Sequence, residues 1–355
     1  MLCVSLTLLA ALVSIILYSR RRSVSSLRLP LPPGPKGLPI VGNIFDLPPA
    51  GIPEYEHWLK HKGAYGPISS ISILGTTIVI LHSYEAQREL LVKKSSKTTA
   101  RPIFYFSSMC GLGNLIATSG PVHRHHRKLM HQQLGTRVLA GRFSGTQDAE
   151  TKRFLLRVLD NPEGLMEHIK TQASASILKI LYGYSIEPHQ TDPLVTIIER
   201  AMAIFSKTVL PFAWAVDMIP QLRYLPSWLP GASFHKRARQ WKLVAERMMN
   251  VPYNFVRQQM SSGSFTPSFV SRNLEKSGEK LGEKRILSEK EETALKNIAA
   301  ALFVGGAHTI VSSLKSMLLA LILYPEVQRR AQQEIDEVVG GDRLPEFQDR
   351  DYLPY

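Results

Sequence analysis

The pattern of apolar and polar residues predicts a small β-hairpin followed by many helices. Two β-branched runs, residues 68–73 and 76–81, flank Leu74-Gly75, as expected for two strands joined by a tight turn. Further along, apolar residues recur at helical spacing. The predicted helices cover residues 85–92, 121–134, 149–158, 171–181, 193–206 and 236–259. The Ser/Gly-rich segment 261–264 and the charged segment 275–284 are predicted to be surface loops. The sequence therefore indicates a mostly α, α+β fold.

Two more helices are predicted near the end of the sequence. Residues 297–324 are apolar almost all round, so this helix is either deeply buried or a membrane span. Two adjacent glycines, a histidine, a threonine and a lysine in its middle make a span costly. An amphipathic helix is also predicted, delimited by Pro325 at its first position and by Gly340 after its last turn.

The N-terminal residues have the pattern of a membrane anchor. Residues 1–19 carry no charge, and a helix of that length would extend roughly 28 Å, nearly the thickness of a bilayer core. The alternative is a cleaved signal peptide, but the segment starts without charge and ends in Arg20-Arg21-Arg22. The positive-inside rule then predicts a cytosolic body and a lumenal N-terminus. The proline-rich residues 29–43 exclude a helix and predict a stiff, extended hinge.

Charge and cysteine content narrow the choice of function. The formal net charge of +14 suits an anionic membrane, an acidic partner or nucleic acid. Nucleic-acid binding is disfavoured, because the basic residues are dispersed and no recognition motif is present. The only two cysteines, Cys3 and Cys110, provide neither a disulfide framework nor a CxxC zinc motif.

The helix at 121–134 is a candidate binding element because it is rich in histidine and arginine. On a helix, residues 123, 127, 130 and 134 share one face, whereas residues 124, 128 and 131 share another. His123 and Arg127 therefore lie on a face with apolar residues, and the other face is basic. A solvated basic surface is one interpretation. A zinc site is a weaker one, because adjacent His125 and His126 point apart and no nearby carboxylate or thiolate completes a ligand set.

The apolar helix at 297–324 contains the second candidate, Gly305-Gly306-Ala307-His308-Thr309. Each glycine in a helix interior costs about 1 kcal/mol relative to alanine. Close approach of a flat ligand would explain the missing side chains, and so would tight packing against another helix. The Thr309 hydroxyl could bond to its own helical turn or, if the helix opens locally, to a bound water.

The order and spacing of these segments resemble the cytochrome P450 family. The resemblance covers the anchor, the Pro-Pro-Gly-Pro hinge, Ala100-Arg101-Pro102, both candidate helices, and the PEVQ…EID…LPY region at residues 325–355. Residues 225–231 and the helix after them look most like fungal microsomal members. The implied fold is the cytochrome P450 fold, with an N-terminal transmembrane helix.

The resemblance implies roles for individual residues. Arg127 matches the arginine that holds a haem propionate, and His123 stands where the family has a tryptophan. Gly305, Gly306 and Thr309 match the helix that lies over the haem and activates oxygen. His308 replaces an acidic residue there, and an imidazole can still relay protons.

The resemblance also implies what should follow Tyr355. The family's Glu-x-x-Arg helix and the Phe-x-x-Gly-x-Arg-x-Cys loop, whose cysteine ligates the haem iron, are expected beyond that residue. Cys110 has none of the neighbours of that loop. We therefore expect a C-terminally truncated member with an anchor (1–19), a basic proline-rich hinge (20–43) and a partial domain (44–355).

The implied function is oxidation of a small apolar substrate, a secondary metabolite or xenobiotic, by a haem-thiolate monooxygenase. Electrons would come from NADPH–cytochrome P450 reductase, which could dock on the basic face of Arg124, Lys128 and His131. The protein would lie in the endoplasmic reticulum membrane, in contact with lipid. Phe104, Tyr105 and Phe106 would cap the substrate or simply pack in the core. The alternative function is a non-catalytic membrane-bound fragment or binding module.

Overall fold

The computed structural model describes residues 30–49, 51–115, 120–136, 141–187, 192–279 and 287–355. They belong to two compact units, one up to Thr99 and one from Ala100 to Tyr355. The predicted anchor and the first part of the hinge lie outside the described residues, so their proposed structures stay predictions.

The first unit contains one antiparallel hairpin and short helices. Its elements are α1 (Glu54–Tyr65), β1 (Ile68–Ile73), β2 (Thr76–Leu81), α2 (Tyr84–Gln87), which continues as a π-helix (Arg88–Lys93), and α3 (Ser95–Thr98). The strands pair from Ile68 opposite Leu81 to Ile73 opposite Thr76. Leu74 and Gly75 both have positive φ, 47° and 80°, as a two-residue turn with the twist of a hairpin requires. The predicted hairpin is confirmed.

The proline-rich segment is bound to β1. The Ser70 backbone N–H donates to the Pro33 carbonyl at 2.9 Å, and the Ser70 hydroxyl donates to the Pro32 carbonyl at 2.6 Å. Gly34 passes so close to this strand that a Cβ added to it would lie 1.8 Å from the Ser70 carbonyl oxygen. The glycine of Pro-Pro-Gly-Pro is therefore required by close backbone approach.

Asn43 holds the end of this segment in place. Its side-chain oxygen accepts a hydrogen bond from the Ser72 N–H at 2.9 Å, and its side-chain nitrogen donates to the Pro35 carbonyl at 3.1 Å. Only 3% of Asn43 is exposed, so these bonds satisfy a buried amide. Residues 32–43 are thus an ordered part of the first unit.

Two histidines meet at a buried serine between α1 and the hairpin. The Ser69 hydroxyl lies 3.2 Å from Nδ1 of His61 and 2.8 Å from Nε2 of His82. Burial lowers the pKa of both histidines. His82 and His57 lower the pKa of His61 further, against a smaller opposing effect of Asp46. Lys62 has the same lowering effect on the pKa of His82.

The second unit is helical throughout its described residues. Its helices are α4 (Tyr105–Met109), α5 (Gly120–Leu134), α6 (Ser144–Asp160), α7 (Leu165–Tyr182), α8 (Pro193–Thr208), α9 (Ala215–Met218), α10 (Ser233–Ser261), α11 (Phe269–Glu279), α12 (Glu289–Leu323) and α13 (Pro325–Val338). Short 3-10 turns lie at Gly113–Leu115, Pro162–Gly164, Pro220–Tyr224 and Asp349–Tyr352. The predicted helices of this unit are all present, and the mostly α fold is confirmed.

The core of the second unit forms around α7. This helix packs against α6 and α12, and α8 packs against α10. Half of the residues of α7 are buried, among them Leu178 and Leu181, so it is the apolar centre of the unit. An added Cβ on Gly306 would lie 2.8 Å from Cδ1 of Ile177, so the glycine lets α12 approach α7 closely.

Two boundaries differ from the predictions. α12 begins at Glu289 rather than at residue 297, since Ser288 and Glu291 form a reciprocal capping box. The prediction of a loop over residues 275–284 is wrong for its described part, because α11 continues to Glu279. At the start of α11, Ser268 and Ser271 exchange side-chain to backbone hydrogen bonds of 3.2 and 2.8 Å.

The apolar helix α12 is buried in one half and open in the other. Ile298, Phe303 and Ala307 are buried, whereas Leu319 and Ile322 are 56% and 72% exposed. By length and composition, α12 could cross a membrane, and only 6% of its most apolar window is buried inside the protein. Neither deep burial nor a span describes the whole helix.

The packing of α12 predicts different outcomes for its two glycines. In the absence of added ligand, Gly305→Ala should raise the free energy of unfolding by about 1 kcal/mol, because alanine favours the helix and nothing lies within 4 Å of the new Cβ. Gly306→Ala should gain less, because Ile177 must move. Urea denaturation measures both changes. Valine at position 177 lacks Cδ1, so in an Ile177→Val background Gly306→Ala should raise the free energy of unfolding by more than it does in the parent protein. Equal increases for Gly305→Ala and Gly306→Ala in the parent protein would contradict this packing.

The histidine pair predicts a loss of stability in acid. Because the folded-state pKa of His61 and of His82 is lowered, the unfolded chain binds more protons as pH falls below the usual histidine pKa. The urea concentration at the unfolding midpoint should therefore decrease as the pH is lowered from about 7.5 to about 5.5. The double variant His61→Asn, His82→Gln, which keeps neutral polar groups at Ser69, should fall less. Exposed His131→Gln is the control, and an unchanged slope in the double variant would refute the assignment.

Candidate functional site

The middle of α12 presents an open polar strip. The Thr309 hydroxyl donates to the Gly305 carbonyl at 2.9 Å and lies 3.2 Å from the Gly306 carbonyl. Thr309 and Gly305 are exposed, and nothing lies within 4 Å of a Cβ added to Gly305. The helix is continuous through the glycines, so the Thr309 hydroxyl bonds to a carbonyl of its own helical turn, and the helix is not locally opened at this point. A flat ligand can reach the backbone of the helix at Gly305.

The two glycines therefore differ in what they allow. Gly306 packs against Ile177, which is the helix-packing explanation, whereas Gly305 faces open space. From the sequence, either helix packing or close approach of a flat ligand could explain the pair of glycines. The position of α7 shows that helix packing applies to Gly306 and leaves ligand approach as the explanation for Gly305.

His308 does not share the strip with Thr309. Its side chain lines a cavity together with Phe303 and Ala307 of the same helix and with residues of α7 and α8. Adjacent residues on an α-helix point about 100° apart. The structure thus brings together Gly305, Gly306 and Thr309, and places His308 on the neighbouring face.

The helix α5 has the two faces predicted from its sequence. Met130 and Leu134 are partly buried against the core, and His123 is half-buried on the same side. Arg127 is exposed, one turn from His123. Its guanidinium is available to bind an anion, and α5 packs against α12. Arg124, Lys128 and His131 are exposed and form the basic face.

Sequence reasoning missed two buried positions on α5. His126 is 9% exposed and Gln133 is 2% exposed. Burial lowers the pKa of His126, and neighbouring His125 and His123 lower it further, which favours a neutral imidazole in the core. Their spacing of seven residues, two helical turns, indicates that they share a face of the helix. Because both side chains are polar, the hydrophobic pattern of the sequence does not predict that this face is buried.

The described residues contain no group of three or more metal-ligating side chains. The ring centres of His125 and His126 are 6.5 Å apart. Cys110 is fully buried, and burial together with the charge of Asp217 raises the pKa of its thiol to about 12. Cys110 is therefore a protonated core residue rather than a thiolate ligand.

Phe106 belongs to the core, as the packing alternative proposed. It is fully buried, and its ring stacks on Trp214 with 3.5 Å between centres. Its N–H donates to Asp217 Oδ1 at 2.9 Å. Tyr105 lies beneath the guanidinium of Arg223, with 5.0 Å between the ring centre and the Arg223 carbon. A substrate-capping role for Phe106 is not supported.

The geometry fits the face and edge of a haem. Gly305 leaves space for a flat ring against α12, and exposed Arg127 can make a bidentate contact with a carboxylate. A thiolate for the iron is absent from the part of the chain that the structure describes. The axial cysteine expected after Tyr355 stays a prediction.

Comparisons with known proteins identify the family of the chain. The cytochrome P450 family model matches residues 32–355. The chain is 46% identical over 338 residues to the multifunctional cytochrome P450 monooxygenase af510 of Aspergillus fumigatus. The aligned region covers 94% of the chain and 63% of the relative. It is 48% identical over 329 residues to cytochrome P450 monooxygenase CLM2 of Gibberella zeae. This aligned region covers 92% of the chain and 62% of the relative.

A third relative extends the same pattern. The O-methylsterigmatocystin oxidoreductase of Aspergillus flavus is 39% identical over 330 residues, which cover 92% of the chain and 61% of the relative. The chain thus spans less than two-thirds of the length of these relatives. The family match nevertheless covers both described units. The chain belongs to the cytochrome P450 family.

Proposed function

We propose that the protein is a haem-thiolate monooxygenase that inserts one oxygen atom of O₂ into a small apolar organic substrate, a secondary metabolite or xenobiotic. The observation that carries the proposal is the family match across residues 32–355. The open Gly305–Thr309 strip on α12 supports it, because it leaves room for the ring that this chemistry needs. When bound, haem would supply an iron for oxygen chemistry, and the resemblance to the family predicts a cysteine thiolate as its ligand.

The residues of this chain would bind and orient that group. Arg127 would hold a propionate by charge-assisted hydrogen bonds, and His123 would donate a further bond from one turn away. Gly305 would let the ring approach the helix backbone. The Thr309 hydroxyl, which already donates to the Gly305 carbonyl, keeps oxygen lone pairs free to accept a hydrogen bond from a bound water.

His308 would exchange protons on the solvent side of α12. It is exposed and lines a cavity beside the strip, and an imidazole accepts and releases a proton near neutral pH. The family's acidic residue would do the same from this position. His308 therefore acts through solvent rather than by direct contact with Thr309.

The surface of the second unit suits a reductase and a membrane. Exposed Arg124, Lys128 and His131 form a basic face on α5 for an acidic partner, NADPH–cytochrome P450 reductase. Elsewhere, Trp228 and Tyr224 are 78% and 74% exposed, in the segment before α10. Exposed aromatic side chains beside basic residues are typical of a membrane–water interface. These features support a location on the endoplasmic reticulum membrane with a cytosolic body, anchored by residues 1–19.

A carbon-monoxide difference spectrum of the reduced, membrane-purified protein tests the function. A thiolate-type Soret band is expected for the product of the whole transcript, which should be sequenced across the codons after Tyr355. A product without pigment would overturn the monooxygenase proposal and leave a non-catalytic, membrane-bound member of the family.

The role of Arg127 predicts a specific loss of haem. Arg127→Leu should weaken haem retention by about 10- to 100-fold, because hydrogen bonds to a charged group are each worth about 1.5–3 kcal/mol. Arg127→Lys should retain part of the affinity, since it keeps the charge without the bidentate geometry. The haem-to-protein ratio after gel filtration measures the effect. Arg124→Leu, on the basic face, is the matched control, and an equal loss in both leucine variants would remove Arg127 from the site.

A further inference from the structure

A cavity of about 410 Å³ lies between α7, α8 and α12. This volume is within the range of small-molecule sites in proteins. The lining residues are Lys170 and Ser174 from α7, Ile198, Glu199 and Met202 from α8, and Phe303, Ala307, His308, Val311, Ser312 and Lys315 from α12. Three core helices therefore contribute to one pocket.

The floor of the cavity is apolar. Ile198 and Met202 are 1% and 8% exposed, and Phe303 and Ala307 are each 4% exposed, so the core of the unit forms this surface. An apolar ligand that covers it is removed from water and is stabilised by that burial.

The two lysines at the rim have different surroundings. Lys170 forms an ion pair with Glu167 at 2.9 Å, which raises the pKa of the lysine, and the charge of Glu199 adds to this effect. Lys315 is only half-exposed, and among the described residues it makes no ion pair within 4.0 Å. Lys170 thus has two carboxylates near it, whereas Lys315 has no ion-pair partner within the described part of the chain.

The end near Lys315 also supplies hydrogen-bonding groups. His308, Ser312 and Lys315 are spaced by four and three residues, so they lie along one stripe of α12. All three residues line the cavity together with those of the apolar floor. This combination, a cation with hydroxyl and imidazole groups next to buried apolar side chains, recognises an amphiphilic anion.

We propose that this cavity binds an apolar organic carboxylate, with its tail on the floor of Phe303 and Met202 and its carboxylate on Lys315. The apolar floor of the site is separate from the strip of Thr309. Ala307 and Val311 line the cavity, and each is two residues from Thr309, which places it about 200° around the helix. The tail of a bound ligand therefore contacts the side of α12 opposite Thr309, whereas its carboxylate lies on the stripe of Ser312 and Lys315, which borders the Gly305 face.

The test is calorimetric titration of the whole protein in nanodiscs with octanoate, 1-octanol and octylamine, with empty nanodiscs subtracted. Octanoate should bind most tightly. Lys315→Gln should weaken octanoate by about tenfold or more and leave 1-octanol unchanged. Lys290→Gln, an exposed lysine near the start of the same helix, is the matched control and should leave octanoate binding unchanged.

A second variant tests the location of the ligand. Val311→Phe, at a half-buried lining position, should fill the cavity and remove binding of both octanoate and 1-octanol, while circular dichroism confirms that the protein stays folded. Unchanged octanoate affinity in Lys315→Gln would overturn the proposal. So would octylamine binding as tight as octanoate, or saturable binding that survives Val311→Phe.

Discussion

The close packing of α12 on α7 is the contact on which the second unit depends. α7 is buried along half of its residues, and α12 can lie against it because Gly306 has no side chain where Ile177 needs space. A larger residue must move Cδ1 of Ile177, the end of a side chain on the central helix. The glycine therefore lets α12 approach α7 closely in a rotation that turns residue 306 toward Ile177.

That rotation gives α12 its two functional surfaces. With Gly306 turned toward α7, Gly305 and Thr309 face open space, while Phe303, Ala307 and Val311 face the cavity beside α7 and α8. A helix of 3.6 residues per turn places residues two apart on nearly opposite sides. The proposed haem face and the apolar floor of the proposed carboxylate cavity thus lie on different sides of one helix, and His308 and Ser312 lie at the border between them.

The first unit shows how a proline-rich segment becomes ordered. Proline lacks an N–H but keeps its carbonyl, and the carbonyls of Pro32, Pro33 and Pro35 all accept hydrogen bonds, from Ser70 and Asn43. Gly34 supplies the close approach to the strand. The motif therefore serves as an extension of the hairpin, whatever its relation to the residues before it.

The sequence determined what depends on local physics. Periodicity predicted the hairpin and the helices of the second unit, and the ordered motifs identified the family, because strand alternation, helical spacing and turn residues act over a few positions. Two differences from the prediction are also local: the capping box of Ser288 starts α12 at Glu289 rather than at residue 297, and the end of α11 extends into residues predicted to be a loop. Only the tertiary structure decided that Phe106 and Cys110 are core residues, that Gly305 and Gly306 differ, and that His308 faces a cavity. Those facts depend on which distant helix lies opposite each side chain, and nothing in the neighbouring sequence records that.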